Sequence, residues 1–163
     1  MRSLGSGDHV HLEASLRQTE LGNPAPPRLC PGPGHAPRAR RHCVGKHCVG
    51  VRNGLLVLWW APGSRLTLAD VLAAYEGIRS LSDGYVLPLV VHLQALGGIA
   101  PAARMVILEG SLTSRIAFVG TGPVDQVIAA FLAHARSETH YFENASDAEA
   151  WARCIMPGTG LSP

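Results

Sequence analysis

Thr113 to Ala135, TSRIAFVGTGPVDQVIAAFLAHA, is the stretch that decides the fold of this chain. It contains a short apolar run, Ile116 to Val119, which is typical of a strand buried on both faces. Gly120-Thr121-Gly122 then permits a tight turn, and Pro123 suits the first position of a helix because its missing N–H needs no partner there. The stretch therefore predicts one complete strand–turn–helix unit.

The helix of this unit carries an apolar stripe at helical spacing, which consists of Val124, Val127, Ile128, Phe131, Leu132 and Ala135. Asp125 lies in the first turn, where a carboxylate interacts favourably with the helix dipole. Because such a stripe must pack against a sheet, the unit predicts a parallel α/β layer architecture, with Phe131 in the core.

Three more strands are predicted, at Leu55–Trp60, Tyr85–Leu93 and Thr139–Phe142. Pro88 lies inside the second of them and predicts a defect in its hydrogen-bonded ladder. Helices should follow from a capping pattern at Thr67, over about 100–109, and from a second capping pattern at Ser146. The order is βαβαβαβα, so the predicted fold is a small, mainly parallel four-stranded α/β sheet.

The domain organisation follows from composition. Residues 1–50 are predicted to be a disordered tail, residues 51–156 the α/β domain, and residues 157–163 a frayed C-terminus. Two proline-rich runs in the tail, Asn23–Pro27 and Pro31–Gly34, disfavour a helix or a central strand. We therefore expect the domain to fold without residues 1–50.

Charge and hydropathy exclude several classes of protein. Lys and Arg outnumber Asp and Glu by seven to three in residues 1–50, whereas residues 51–163 hold seven basic and nine acidic side chains. A slightly acidic domain gives no reason to expect nucleic-acid binding. No apolar run reaches the roughly 18 to 20 residues that span a bilayer, and the N-terminus lacks a signal-peptide pattern. Cys154 is the only cysteine predicted in the domain, so a cytoplasmic location is expected.

The predicted tail contains cysteines and histidines that could supply zinc ligands. These residues are Cys30, His42, Cys43, His47 and Cys48. The spacing Cys43-x4-Cys48, with a histidine directly before each cysteine, is not typical of zinc fingers. We therefore predict a solvated tail without a metal, and no cofactor elsewhere.

Binding sites of parallel α/β sheets lie at the carboxyl ends of the strands. The loops there are 61–66, 94–99, 120–123 and 143–146. The candidate binding residues in them are Arg65, Gly97, Gly98, Gly120, Thr121 and Gly122. The turn 120–122 could hold an anion on backbone N–H groups, but it lacks the P-loop lysine and a GxGxxG pattern. No GxSxG pattern is present either, and no catalytic residue is predicted.

Three segments carry a resemblance to a known family. Gly54–Gly63, GLLVLWWAPG, resembles the opening of a set of small actinobacterial domains of unknown function. Gly120–Phe131, GTGPVDQVIAAF, resembles their third βα unit, and Tyr141-Phe142 together with Ala148–Trp151 resembles their ending. That family is similar to STAS and SpoIIAA-like domains, which are regulatory or lipid-binding α/β modules. The resemblance covers roughly residues 52–155.

The resemblance implies a non-catalytic function. Anti-sigma-factor antagonists carry a phosphorylatable Ser or Thr in the loop that corresponds to Gln94–Ala100, and this loop contains neither. The related families share no common active site, so no catalytic residue is transferred. We expect a non-catalytic regulatory module that binds a protein partner. The alternatives are a carrier of a lipid or small apolar ligand, and a minor enzyme.

Overall fold

The computed structural model describes residues 40–154, and the structural statements below concern that part of the chain. Its elements in chain order are β1 (Arg40–Val44), β2 (His47–Arg52), β3 (Leu55–Trp60), β4 (Arg65–Leu66), α1 (Leu68–Ser82), β5 (Leu87–His92), β6 (Gly98–Ile99), α2 (Pro101–Glu109), β7 (Thr113–Val119), α3 (Pro123–Leu132), β8 (Glu138–Phe142) and α4 (Ala145–Arg153). No helix among these is long and apolar enough to cross a membrane.

The main sheet has six strands in the order β1-β2-β3-β5-β7-β8. Strands β3, β5, β7 and β8 are parallel, whereas β1 and β2 are antiparallel and extend the sheet beyond β3. The predicted α/β class is confirmed, and the four expected strands form the parallel part. The prediction of a four-stranded, mainly parallel sheet is wrong, since the sheet is six-stranded and mixed.

Strands β1 and β2 come from residues that the sequence analysis assigned to a disordered tail. The predicted boundary at residue 51 falls inside β2, in which Cys48 and Val49 are fully buried. The hairpin also packs on α1, because the His42 ring lies where a side chain at Gly77 would stand, 2.5 Å from its Nδ1. These short strands lack an apolar alternation, so only their pairing with β3 and α1 defines them. The predictions for residues 1–39 and 155–163 lie outside the described residues.

Cys43 and Cys48 face each other across the β1–β2 hairpin and are joined by a disulfide. The two thiols are therefore bonded to each other rather than offered to a metal with His42 and His47. No group of three or more potential ligands exists within residues 40–154, and Cys30 lies outside that range. The cytoplasmic location was expected because only Cys154 was predicted to lie in the domain. Since Cys43 and Cys48 also belong to the sheet, that reason no longer applies, and the location stays a prediction.

Two of the predicted local features are confirmed. Thr67 caps α1, and its side chain and backbone N–H exchange hydrogen bonds with Asp70 in a capping box. Pro88 coincides with a shift in the pairing of β5 with β7, between Leu87 and Leu89, because proline cannot donate to the ladder. The last helix begins earlier than predicted, since Asn144 rather than Ser146 is its N-cap.

The helices lie on both faces of the sheet. Helices α1, α2 and α3 cover one face and form the larger apolar core, which includes Val71, Ala103 and Leu132. Helix α4 covers the other face, where Ala148 and Ala152 pack on side chains of β3, β5 and β7. Each central strand is therefore buried on both sides, which explains its continuous apolar sequence.

Helix α3 is rotated relative to the predicted stripe. Its buried residues are Asp125, Ala129 and Leu132. By contrast, Val124, Val127 and Phe131 are 54%, 70% and 43% exposed. The prediction that Phe131 is a core residue is therefore wrong. The inward orientation of Asp125, described below, fixes which side of the helix meets the sheet.

Adjacent residues of α3 offer a direct test of this orientation. We expect Leu132→Ala to lower the free energy of unfolding by about 2 to 5 kcal/mol, because the side chain is 2% exposed. Phe131→Ala should cost less, about 1 kcal/mol, because much of its ring remains in water. Urea denaturation of both variants measures the difference. A larger loss for Phe131→Ala would show that the helix packs by the predicted face.

The role of the hairpin can be measured by truncation. A chain that begins at Val51 should be destabilised by more than about 3 kcal/mol, because it loses the burial of at least two side chains and the partner strand of β3. A chain that begins at Arg40 keeps both strands and serves as the control. Thermal melts of the two chains compare them, and equal melting temperatures would mean that the hairpin does not contribute to stability.

Candidate functional site

Three loops meet at the carboxyl ends of the parallel strands and form what we call the strand-end edge: residues 61–66, 94–99 and 120–123. The first two loops are joined by β4 and β6, which pair in parallel with Arg65 opposite Gly98. Two further backbone bonds link them, from Gly63 N to Gln94 O at 3.0 Å and from Gly97 N to Ser64 O at 2.9 Å. The sequence prediction that these loops share one edge therefore agrees with the structure.

The third loop is connected through a buried carboxylate. Asp125, in the first turn of α3, is 1% exposed. Its Oδ2 accepts hydrogen bonds from the backbone N–H of Ala95 at 3.1 Å and of Thr121 at 3.3 Å. One side chain thus bonds the loop after β5 to the loop after β7. Charge-assisted bonds of this kind are among the stronger hydrogen bonds in proteins.

The second oxygen of the Asp125 carboxylate, Oδ1, accepts no hydrogen bond within residues 40–154. Asp125 Oδ1 and the hydroxyl of Tyr141 are both buried without a hydrogen-bond partner. Burial raises the pKa of the Tyr141 phenol, and the negative charges of Asp125 and Glu143 raise it further. The end of β8 therefore lies within the electrostatic reach of the same carboxylate.

The loop after β5 is held in an unusual backbone conformation. Gln94 and Ala95 both have a φ of 55°, in the left-handed region that non-glycine residues rarely adopt. The Gln94 side chain donates to Trp60 O at 2.7 Å, and Ala95 donates to Asp125. Strained backbone of this type persists only where surrounding contacts enforce it, and it is concentrated at functional sites.

Glycines make the close approach of these loops possible. A Cβ at Gly120 would collide with the Asp125 side chain, 2.8 Å from its Oδ2. A Cβ at Gly97 would lie 3.0 Å from Gly63 O and 3.2 Å from the Arg65 side chain. Both positions therefore need a residue without a side chain, for reasons of packing.

The predicted binding residues differ in their access to solvent. Arg65, Gly97 and Thr121 are exposed, Gly98 and Gly122 are half-buried, and Gly120 is buried. The backbone N–H groups of Gly97, Gly120 and Thr121 already donate to Ser64 O, Phe142 O and Asp125. They are therefore not available to an external anion.

Asp125 is the residue whose role the sequence analysis missed. It was interpreted only as a favourable charge near the helix dipole. The signal in the sequence is a carboxylate at the third position of a helix whose first residue, Pro123, directly follows a glycine turn. At that position a carboxylate can bind the N–H groups of its own turn, and so take the place of an anion ligand.

The titratable groups with shifted pKa values do not converge on one cleft. Burial lowers the pKa of His47 in the hairpin, and the nearby His42 lowers it further. Burial also lowers the pKa of His92, whose ring stacks on Trp59. Burial raises the pKa of Tyr75, between α1 and α2, to about 12. These groups lie in separate parts of the described structure.

No family model matches the sequence, and no curated protein matches it. Among solved structures, the chain is similar to an uncharacterized protein of the DUF3478 family, with a SpoIIAA-like fold, from Shewanella loihica PV-4. The identity is 16%, the match covers 70% of this chain and 91% of that chain, and the TM-score is 0.48. The likeness concerns the fold alone, and the actinobacterial origin stays a prediction.

The bridging role of Asp125 leads to a quantitative prediction. Asp125→Ala should lower the free energy of unfolding by about 2 to 4 kcal/mol, because two part-buried N–H groups lose a charged acceptor. Asp147→Ala is the matched control, since Asp147 is an exposed acid in the first turn of α4. Its loss should cost about 0.3 to 1 kcal/mol.

Chemical denaturation measures both costs, and hydrogen exchange should show faster exchange at the Ala95 and Thr121 amides in the Asp125→Ala variant only. Equal costs for the two substitutions, with unchanged exchange at these amides, would contradict the bridging role.

Proposed function

We propose that this chain is a non-catalytic regulatory module that binds a protein partner through the strand-end edge. The observation that carries the proposal is the bridge from Asp125 to Ala95 and Thr121, which holds two loops of the edge in one arrangement. A preformed surface loses little conformational freedom on binding, so its contacts contribute more fully to affinity.

The exposed chemistry of the edge supports a protein rather than an anion as the ligand. Arg65 is the only charged residue of the three loops, and its guanidinium lies over Gly98, 3.6 Å from the position of a Cβ. It forms no ion pair among residues 40–154. A single exposed cation among small residues can orient an acidic group of a partner but offers little to a nucleic-acid backbone.

Regulation by phosphorylation of the loop after β5 is not part of this proposal. Residues 94–100 contain no hydroxyl group that a kinase could modify. The strained conformation of Gln94 and Ala95 is instead fixed by internal hydrogen bonds. We propose that the partner recognises this fixed shape.

A variant with two charge-changing substitutions tests the proposal. The edge variant combines Arg65→Glu with Thr121→Lys, at two exposed positions of the strand-end edge. The matched control combines Arg79→Glu with Ser80→Lys, at exposed positions near the opposite end of α1. Each protein is checked by thermal melt and used for affinity capture from lysate of the native cells, with quantification by mass spectrometry.

We expect one protein to be captured by the wild type and the control and to be lost with the edge variant. Equal capture by both folded variants would mean that the edge is not the partner surface. Gly98→Ala is unsuitable for this purpose, because the φ of +144° at Gly98 would strain any side chain.

A second candidate function is the binding of a small apolar ligand. It is supported by a cavity between the sheet and helices α1 to α3. Its volume is about 60 Å³, and its wall is almost wholly apolar, with Leu58, Tyr75 and Ile107 among its lining. A dry cavity of about 150 Å³ binds benzene in an engineered protein, so this one suits a smaller apolar species rather than a lipid chain.

Xenon provides the probe for this second candidate. Pressurised xenon should shift the methyl NMR signals of Leu58 and Ile107. Ala74→Leu, which places a larger side chain in the cavity, should abolish the shifts. Ala130→Leu, at an exposed position of α3, is the control. Unchanged spectra under xenon would exclude the cavity as a binding site for small apolar molecules.

A further inference from the structure

Helix α3 presents an apolar surface that is largely exposed among residues 40–154. We call it the α3 stripe, formed by Val124, Val127 and Phe131, which are 54%, 70% and 43% exposed. Their spacing of three and four residues places them on one side of the helix. They lie beside α2, because the Arg104 guanidinium stands 5.2 Å from the centre of the Phe131 ring.

The stripe is not needed to complete the core. The inward side of α3 already contributes Ala129 and Leu132, both under 5% exposed. Single exposed apolar residues are ordinary, but an aligned set that includes an aromatic ring is typical of an interaction site. Phenylalanine and arginine in contact are also enriched in the central part of protein interfaces.

On the side of the stripe that faces α2 the charges are mainly positive, whereas the exposed Glu143 lies on the other side of α3, against Gln126. Arg104 is exposed and is fixed in place by a bond from its Nε to Ile99 O at 2.9 Å. Arg136 follows α3 and is exposed, and its backbone N–H donates to Leu108 of α2. Glu109, the last residue of α2, is the exposed acid in this area, while Asp125 is turned inward and bonded to the loops.

We propose that the α3 stripe binds an amphipathic helix of a partner protein, with apolar side chains against Val127 and Phe131 and carboxylates facing Arg104 and Arg136. The stripe is a ridge about 10 Å long on a helix, and such a ridge packs into the groove of a second helix. Charge complementarity selects an acidic partner helix.

The same charges argue against a second copy of this chain as the occupant. A two-fold pairing of α3 with itself would place Arg104 and Arg136 of both copies in one interface. Like charges that meet at an interface oppose association. The inference shares with the proposed function the assumption of a protein partner, but the residues that carry it, Val127 and Phe131, do not belong to the strand-end edge.

The experiment uses the purified full chain and two synthetic peptides of 18 residues, labelled with fluorescein. Both have a leucine face on an alanine-rich helix; one carries glutamates on the remaining positions and the other carries lysines. The stripe variant combines Val127→Ser with Phe131→Ser. Its matched control combines Val86→Ser with Tyr85→Ser, two residues that are 62% and 72% exposed after α1.

Fluorescence anisotropy measures the affinities, with folding checked by thermal melt. The glutamate peptide should bind the wild type at least about tenfold more tightly than the lysine peptide, and the stripe variant should lose about tenfold in affinity. The Tyr85/Val86 control and the edge variant should bind as the wild type does. Arg104→Glu should reverse the preference between the two peptides.

Three results would overturn the inference: no binding of the glutamate peptide, equal binding by the stripe variant, or dimers in sedimentation that the stripe variant abolishes. The edge variant changes the strand-end edge and leaves Val127 and Phe131 intact. Loss of helix binding at the stripe can therefore be told apart from loss of partner binding at the strand-end edge. A peptide that binds the wild type and not the edge variant would place helix recognition at the strand-end edge instead.

Discussion

The carboxylate of Asp125 is the constraint on which the strand-end edge depends. Its Oδ2 accepts from Ala95 and Thr121, which come from two different loops, and its side chain is almost fully buried. To reach both N–H groups it needs the space that Gly120 leaves open. A buried carboxylate without donors would be very costly, so the loops, the glycine and the first turn of α3 must fold together.

The same constraint explains which surfaces remain for binding. With Asp125 directed inward, α3 meets the sheet through Ala129 and Leu132. Val127 and Phe131 are then turned toward solvent beside α2. The carboxylate also accepts from the Thr121 N–H, in the turn directly before this helix. One residue thus holds two loops of the strand-end edge together and leaves an apolar face of α3 exposed.

The β1–β2 hairpin forms the lateral edge of the sheet next to β3. It supplies the antiparallel neighbour of β3, so the strand with the Trp59-Trp60 pair is central rather than at an edge. It also places His42 against Gly77 of α1 and closes a disulfide between Cys43 and Cys48. An edge strand as apolar as β3 would be prone to aggregation, and the hairpin protects it.

Local sequence patterns determined the parallel part of the fold. Apolar runs, the Thr67 capping box and Pro88 act over a few residues, so their consequences are visible in the sequence alone. Tertiary structure decided the rest. The short hairpin strands gain their definition only from β3 and α1. The orientation of α3 depends on a hydrogen bond that the Ala95 N–H, thirty positions earlier in the chain, donates to Asp125. Periodicity shows that a helix has an apolar side, but where a buried polar group competes for the inward position, long-range contacts choose the side that faces the sheet.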